Sequence, residues 1–267
     1  MSALPGVQLI PDARPVRWGD VSHMDMVLSS LDWLVRTLDF DWVVMLSGQD
    51  YPVRPLGELE RLLASTSFDG FIEGIPVEAP SRGARILARG VDEFTSRYFY
   101  RYVGLDPPHG TRRILARAWP ARLVRALPSG EVRLGLPCLR LPFTRELRCY
   151  RGSDWFTLSR RCVKILGRVP TERRRLWRHY ARTFMPVESI PHTVLYSEPG
   201  LRLSRDCMRY ISWPAKPSPH PDVLRLGDLE RITASGAFFA RKFDERIDAA
   251  VLDALDARLA GFPAPVD

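Results

Sequence analysis

Three polar side chains follow an apolar run in the segment WVVMLSGQDYPVRP, residues 42–55. The run stops at Ser47 and Gly48, which is typical of a strand that continues into a turn. In open α/β sheets, ligands bind beyond the carboxyl ends of strands, so Ser47, Gln49 and Asp50 occupy positions that favour ligand binding. The alternative interpretation of the same residues is an ordinary polar turn after a core strand.

The basic residues indicate an anionic partner. Lys and Arg number 39 against 31 Asp and Glu, the formal net charge is +8, and nearly all of the basic residues are Arg. A polyanion, an anionic membrane surface and a diphosphate ligand are each compatible with that excess. We expect no nucleic-acid partner, because no recognition motif accompanies the charge.

Length and composition indicate one folded domain over residues 1–267. Hydrophobic residues make up 45% of the chain and charged residues 26%, and no apolar run has the length of a membrane span. The start of the chain lacks the pattern of a secretory signal, so we expect a cytoplasmic location. Four widely spaced cysteines without a C-x-x-C pair indicate reduced, mostly buried thiols and no zinc site.

The elements that carry the polar turn alternate between helix and strand. Apolar residues at three- and four-residue spacing predict an amphipathic helix over 20–38, with Asp20 or Ser22 as its N-cap. A strand at 42–46 follows, then a short helix near 56–65 and the apolar segment FDGFIEGI. This alternation predicts an α/β fold with a mixed, mostly parallel sheet covered by helices.

The remaining chain predicts a basic segment and then further helices and strands. Residues 80–148 are rich in Arg, Pro and Gly, and we expect a basic arm here, with an amphipathic helix at about 111–127 that Pro120 kinks. Such a helix is typical of a membrane-surface contact and also of a solvated face packed over a core. Later segments predict a strand at 155–158, a helix from Ser159, a basic helix in TERRRLWRHYARTF, a short strand in RYISW and two C-terminal helices.

Eight segments of the chain, in order, resemble the core-2/I-branching glycosyltransferases, whose relatives include the protein O-xylosyltransferases. The segments are VRWGDVSHMDMVLSSLDWL, WVVMLSGQDYPVRP, FIE, RYFYRYV, GSDWFTLSRRCVKIL, MPVESIPHTVLYS, RYISW and FFARKFDERID. The resemblance implies a GT-A-like fold. It also implies an inverting transfer of a sugar, such as GlcNAc or xylose, from a UDP-sugar to the hydroxyl of a glycan or another acceptor.

The resemblance further implies a reaction without a metal ion or other cofactor. Charge on the leaving UDP must then be met by fixed basic side chains. Lys242, in ARKFD, matches the family's basic residue at the diphosphate, although its spacing alone favours a lysine on the solvated face of a C-terminal helix. Candidates for a second basic residue are Lys216, His220 and Arg225. The DFD peptide at 39–41 imitates a metal signature of other GT-A enzymes, but it precedes a strand, and we interpret it as a helix end.

Glu188, in PVESIPHTVL, matches the catalytic glutamate of the family. An inverting transfer needs a general base that takes the proton of the acceptor hydroxyl as the oxygen attacks the anomeric carbon. The flanking proline-defined loop and apolar run predict desolvation, which raises the pKa of a carboxyl group. The alternative interpretation is a loop or capping-box glutamate.

The resemblance also assigns residues to a donor pocket and an acceptor pocket. An acceptor pocket needs an indole that stacks on a sugar face, carboxylates that accept hydrogen bonds from sugar hydroxyls and guanidinium groups that donate to them. The alternatives on the acceptor side are structural: Trp213 is then a core residue, and Arg97 and Arg101 are surface charges at helical spacing. The donor-pocket candidates are Ser47, Gln49, Asp50, Ser153, Asp154 and Trp155, and the acceptor candidates are Glu73, Arg97, Arg101 and Trp213.

The resemblance implies a further βαβ stretch before the first predicted strand of this chain, at 42–46. We therefore expect an incomplete amino-terminal edge of the sheet, which favours pairing with a second copy in a homodimer. Peripheral contact with a membrane is a further expectation. The alternative function is that of a non-catalytic remnant that binds a sugar or an anion and has lost its donor pocket.

Overall fold

A computed structural model describes residues 6–11, 15–105, 119–127, 129–215, 218 and 220–260. The chain folds into two compact units. The boundary between the units passes between sequence neighbours such as Asp154 and Trp155. The single domain expected over 1–267 stays a prediction. The first unit comprises Met1–Asp41, Glu73–Asp154 and Ser159–Leu201, and the second comprises Trp42–Ile72, Trp155–Leu158 and Arg202–Asp267.

Helices and short strands alternate along the described residues. The helices are α1 (Val21–Thr37), α2 (Leu56–Ser65), α3 (Arg82–Ile86), α4 (Glu93–Phe99), α5 (Arg160–Gly167), α6 (Val169–Glu172), α7 (Arg174–Tyr180), α8 (Ile190–Tyr196), α9 (Leu229–Ala234) and α10 (Ala250–Ala260). The strands are β1 (Trp42–Val44), β2 (Asp50–Pro52), β3 (Gly70–Ile72), β4 (Ile75–Pro76), β5 (Tyr100–Leu105), β6 (Val124–Ala126), β7 (Val132–Pro137), β8 (Tyr150–Arg151), β9 (Phe156–Ser159), β10 (Leu203–Ser204), β11 (Arg209–Ile211) and β12 (Phe239–Arg241).

Helix α1 confirms the amphipathic helix that the sequence predicts. The carboxylate of Asp20 accepts a hydrogen bond from the backbone N–H of Ser22 at 2.9 Å, so Asp20 is the N-cap. The residues at three- and four-residue spacing form its buried face, and helix α5 packs against it. The buried residues of that face are Met24, Val27, Leu28 and Leu31.

The first unit contains two small antiparallel sheets, one with strand order β5-β7-β6 and one that pairs β4 with β8. The amphipathic helix predicted at 111–127 is wrong over its second half, because Ala121–Leu123 form a 3-10 turn and lead into strand β6. Gly130, with φ of 85°, turns the chain into β7, so backbone groups pair across an antiparallel ladder instead of along a helix. Residues 111–118 of the predicted helix lie outside the described part of the chain.

The second unit contains a sheet with strand order β1-β9-β3-β10 and a sheet with strand order β11-β12-β2. Parallel pairing joins β3 to β10 and β11 to β12, whereas β9 and β2 run antiparallel to β3 and β12. One buried apolar cluster surrounds β12 and contains Val53, Leu224, Ile232, Ala240, Phe243, Val251 and Leu255.

The α/β class is confirmed, with sheets that combine parallel and antiparallel strands in the manner of a GT-A-like fold. The sequence predicts a mostly parallel sheet, but antiparallel pairs outnumber parallel pairs among the described strands. Strands β2, β8 and β9 each run antiparallel to a neighbour, and hydrophobic periodicity does not reveal the direction of a strand. No helix within the described residues combines the length and the apolar character that a membrane span requires.

Candidate active site

Glu188 lies at the end of a 3-10 turn, Pro186–Glu188, in the first unit. The turn starts from Met185 in the left-handed conformation, with φ of 53°, and its proline fixes the next φ angle. The carboxylate is about one-fifth exposed. Burial raises the pKa of Glu188 to about 7, against the opposing effect of Arg97 and with added repulsion from Asp154 and Glu93. The desolvation predicted from the sequence is therefore present, and the carboxyl group titrates close to neutral pH.

Arg97, a candidate for acceptor binding, forms an ion pair with Glu188. Its Nη1 donates to Glu188, and its Nε donates to Glu93 at 2.9 Å within helix α4. Arg125 on β6 donates from Nη1 to Glu93 at 3.2 Å and from Nη2 to Ser96 at 2.6 Å. The result is a chain of alternating charges that starts at the candidate base. Sequence reasoning missed Glu93 and Arg125, although the Glu-x-x-x-Arg spacing in EFTSR is a recognisable i, i+4 pair.

A buried histidine holds two segments that contain candidate residues. His192, on α8, is fully buried, with Nδ1 2.5 Å from the carbonyl oxygen of Glu73 and Nε2 2.9 Å from that of Ser153. Burial lowers its pKa to about 4, although both carbonyl contacts favour the protonated ring. Gly152 lies against the imidazole, where a Cβ atom would overlap the ring, and its N–H donates to the carbonyl of Glu188 at 2.9 Å. His192 therefore connects the backbone of Glu73 with that of the GSDWF turn.

In the second unit, the turn after β1 is closed by its own side chains. The backbone N–H of Ser47 donates to Oδ2 of Asp50 at 2.6 Å, and the Ser47 hydroxyl bonds to the same oxygen at 2.5 Å. Gln49 is exposed, and its carbonyl accepts from the N–H of Phe243 at 2.9 Å. The structure thus ties this candidate turn to the residue that follows Lys242.

The same unit brings Asp50 and Trp155 to one arginine. Nε of Arg241 is 3.4 Å from Oδ1 of Asp50, whose side chain is fully buried, and the Arg241 guanidinium lies 4.3 Å from the centre of the Trp155 ring. Lys242 directly follows strand β12, and its carbonyl accepts from Leu224 N–H at 2.9 Å. The alternative in which Lys242 belongs to a C-terminal helix is wrong. The predicted helices are α9 and α10, and β12 lies between them.

The other candidates are more exposed or lie apart. Trp213 is 58% exposed just after β11, so its alternative as a core residue is wrong. Arg101 is exposed on β5, beyond the end of α4, and therefore does not share a helix with Arg97. His220 and Arg225 are exposed in the second unit, and Lys216 lies outside the described residues. Their roles, like those of the other candidates, stay predictions.

Metal-binding side chains do not cluster in the described residues: no three His, Cys, Asp or Glu side chains come together as a metal site there. Asp39 and Asp41 of the DFD peptide lie between α1 and β1, in agreement with a helix end. The carboxylate of Asp39 pairs with the guanidinium of Arg160 at 2.9 Å, so it has a basic partner within the fold. Metal independence itself stays a prediction.

Comparison with known proteins matches residues 1–233 to the family model described as Core-2/I-Branching enzyme. The chain is 28% identical to xylosyltransferase 2 of Rattus norvegicus over 97% of its own length and 28% of that protein. It is 28% identical to xylosyltransferase 1 of Mus musculus over 92% of the chain and 24% of that protein, and 28% identical to xylosyltransferase 1 of Homo sapiens over 97% and 25%. The chain therefore spans about a quarter of the length of these relatives.

Proposed function

Because the chain belongs to the core-2/I-branching enzyme family, we propose that it is a glycosyltransferase that moves a sugar from a UDP-sugar to an acceptor hydroxyl with inversion. The observation that carries this proposal is Glu188, a partly exposed carboxyl group whose pKa is raised to about 7. A general base works best when its pKa is near the working pH, because it is then both ionised and able to hold the transferred proton.

In the proposed reaction, the acceptor oxygen attacks the anomeric carbon while Glu188 takes the hydroxyl proton. The bond from the anomeric carbon to the β-phosphate oxygen breaks, and its electron pair leaves with UDP. Lys242 meets the negative charge that develops on the diphosphate, as a fixed cation does in a site without a metal ion. The short ties between Gln49 and Phe243 and between Lys242 and Leu224 support this role, since they fix the backbone that carries the lysine.

Xylose is the first donor sugar to test, since the relatives are named xylosyltransferases, and GlcNAc is the second. The acceptor is a glycan or another molecule with a free hydroxyl. Trp213 is the proposed stacking surface for an acceptor sugar, because 58% of it is exposed and indole packs well on the apolar face of a sugar.

The test is transfer from UDP-xylose and UDP-GlcNAc to a panel of sugar alcohols and glycans, with UDP affinity measured by calorimetry. Glu188→Gln is expected to reduce transfer by about 10²- to 10⁴-fold and to preserve UDP affinity, because only proton acceptance is lost. Glu78→Gln is the matched control, since Glu78 is 84% exposed and loses the same charge.

Two results would overturn the proposal. Near-normal transfer by Glu188→Gln would remove the glutamate from its role as base. Failure of the wild-type chain to bind UDP at millimolar concentration would favour the non-catalytic remnant that binds a sugar or an anion.

A further inference from the structure

The side chain of Arg97 is shared between two carboxylates. Its Nη1 points to Glu188, and its Nε donates to Glu93 at 2.9 Å. Only one-fifth of the Arg97 side chain is exposed, and the Glu188 side chain is exposed to a similar degree. Solvent therefore screens these charges weakly. The position of the Arg97 guanidinium between the two carboxylates affects the pKa of both Glu93 and Glu188.

Glu93 is itself shared between two cations. Arg125 lies 3.1 Å from Oε1 of Glu93 and is held by Ser96 and by the ring of Phe184, which its guanidinium faces at 4.8 Å. Burial alone would raise the pKa of Glu93, but the hydrogen bonds and charges of Arg97 and Arg125 leave its pKa below the ordinary value. Glu93 is thus ionised at neutral pH and forms an ion pair with Arg97.

We propose that Glu93 and Arg125 are positioning residues that determine how strongly Arg97 stabilises the ionised form of Glu188. Glu93 competes with Glu188 for the guanidinium of Arg97, and its negative charge repels the ionised carboxylate of Glu188. Arg125 partly neutralises Glu93 and weakens that competition. The role of these residues in proton transfer rests on the proposed function, whereas the sharing of charge does not.

The groups around Glu188 support an effect through this chain. Glu188 interacts with three residues of α4, namely Arg97, Glu93 and Tyr98. Burial raises the pKa of Tyr98, and the ionised Glu188 carboxylate raises it further. Asp154, after β8, adds repulsion to the ionised form of Glu188. Burial, together with these two carboxylates, keeps the pKa of Glu188 raised although Arg97 is adjacent.

Opposite substitutions in the chain are expected to move the titration of Glu188 in opposite directions. Glu93→Gln removes the competitor and the repulsion, so the pKa of Glu188 falls, by about 0.5 to 1 unit. Arg125→Gln leaves Glu93 less neutralised, so the pKa of Glu188 rises by a similar amount. Arg125→Lys keeps the positive charge and is expected to stay close to the wild type.

The measurement is the ¹³C shift of Glu188 as a function of pH in protein labelled at glutamate carboxyl carbons, assigned with Glu188→Gln. Glu78→Gln is the control for a change in net charge at an exposed ion pair. A merely structural role predicts that water enters in both variants and lowers the raised pKa in both. Shifts in the same direction, or no shift in either variant, would overturn the proposal.

The acid limb of the pH profile of transfer is expected to move with the same signs. If the chain binds no UDP and transfers no sugar while the NMR titrations shift in opposite directions, the proposed function fails and the charge sharing stands. If transfer is normal and the titrations do not shift, the charge sharing fails and the proposed function stands.

Discussion

At the residue scale, Glu188 is a carboxyl group whose ionisation opposes folding. Its pKa is about 7 in the folded protein against an ordinary value of 4.5, so between these pH values the folded state binds more protons than the unfolded state. The free energy of unfolding therefore falls as pH rises from about 4.5 to about 7. At roughly 1.4 kcal/mol per unit of pKa, the loss over this range is about 3.5 kcal/mol.

The measurement is denaturant unfolding of the wild type and of Glu188→Gln between pH 5 and pH 8. The difference in unfolding free energy is expected to change in favour of the glutamine variant as pH increases, because glutamine does not ionise. A difference that stays constant over this range would contradict the raised pKa.

Lys242 is the second residue for which a substitution separates the alternatives. Lys242→Ala removes a cation that contacts both the bound donor and the leaving group in the proposed site, so it is expected to weaken UDP affinity and turnover together. The loss in transition-state stabilisation is roughly 3 kcal/mol, as for a single preorganised electrostatic donor. The matched control is Lys164→Ala, which removes the same charge from an exposed position on α5. Unchanged UDP affinity in Lys242→Ala would remove the lysine from the diphosphate site.

At the element scale, Gly152 lies close to His192 on α8, and its N–H donates a hydrogen bond to the carbonyl of Glu188. Gly152→Ala would place a Cβ atom in the imidazole of His192, and one of the two segments must move. Overpacking of this kind costs about 1 to 3 kcal/mol of unfolding free energy. Because the N–H of Gly152 bonds to the carbonyl of Glu188, transfer is expected to fall as well.

A double-mutant cycle identifies the contact. In a His192→Ala background, where the ring is absent, the cost of Gly152→Ala is expected to be smaller than in the wild type. Gly83→Ala is the control, since among the described residues a Cβ atom at this position on α3 would meet nothing outside its own helix. Equal costs of Gly152→Ala in both backgrounds would show that the imidazole is not what the methyl group meets.

Elements with a strong local signal were predictable from the sequence, and returning strands were not. Helix α1 has a long apolar stripe and an Asp cap, and α2 starts at Leu56 as predicted. Strand β12, in contrast, covers only Phe239–Arg241 inside a segment whose periodicity favours helix. Its strand conformation comes from pairing with β11 and β2, which lie far away in the sequence.

The same distinction applies to the candidate site at the scale of the whole molecule. Glu188 and Lys242 were found through motif strings, because each lies in a segment that is recognisable by itself. His192 and Arg125 were missed, because their importance depends on contacts with Ser153 and Glu93 from other parts of the chain. Ion pairs such as those of Arg133 and Arg173 likewise show that some of the arginines have carboxylate partners from distant parts of the sequence.

The complete reaction is expected to proceed without a metal ion. If fixed cations replace a metal ion at the diphosphate, then transfer by the wild-type chain is expected to be the same in EDTA and in added Mg²⁺ or Mn²⁺. The measurement is the initial rate from the accepted UDP-sugar after chelation, with Glu188→Gln as the blank for uncatalysed transfer. Loss of the rate in EDTA and its recovery with Mn²⁺ would contradict metal independence, and the charge on leaving UDP would then need a ligand set that includes the metal. An unchanged rate, combined with the loss of UDP affinity in Lys242→Ala, would assign that charge to the protein's own basic side chains.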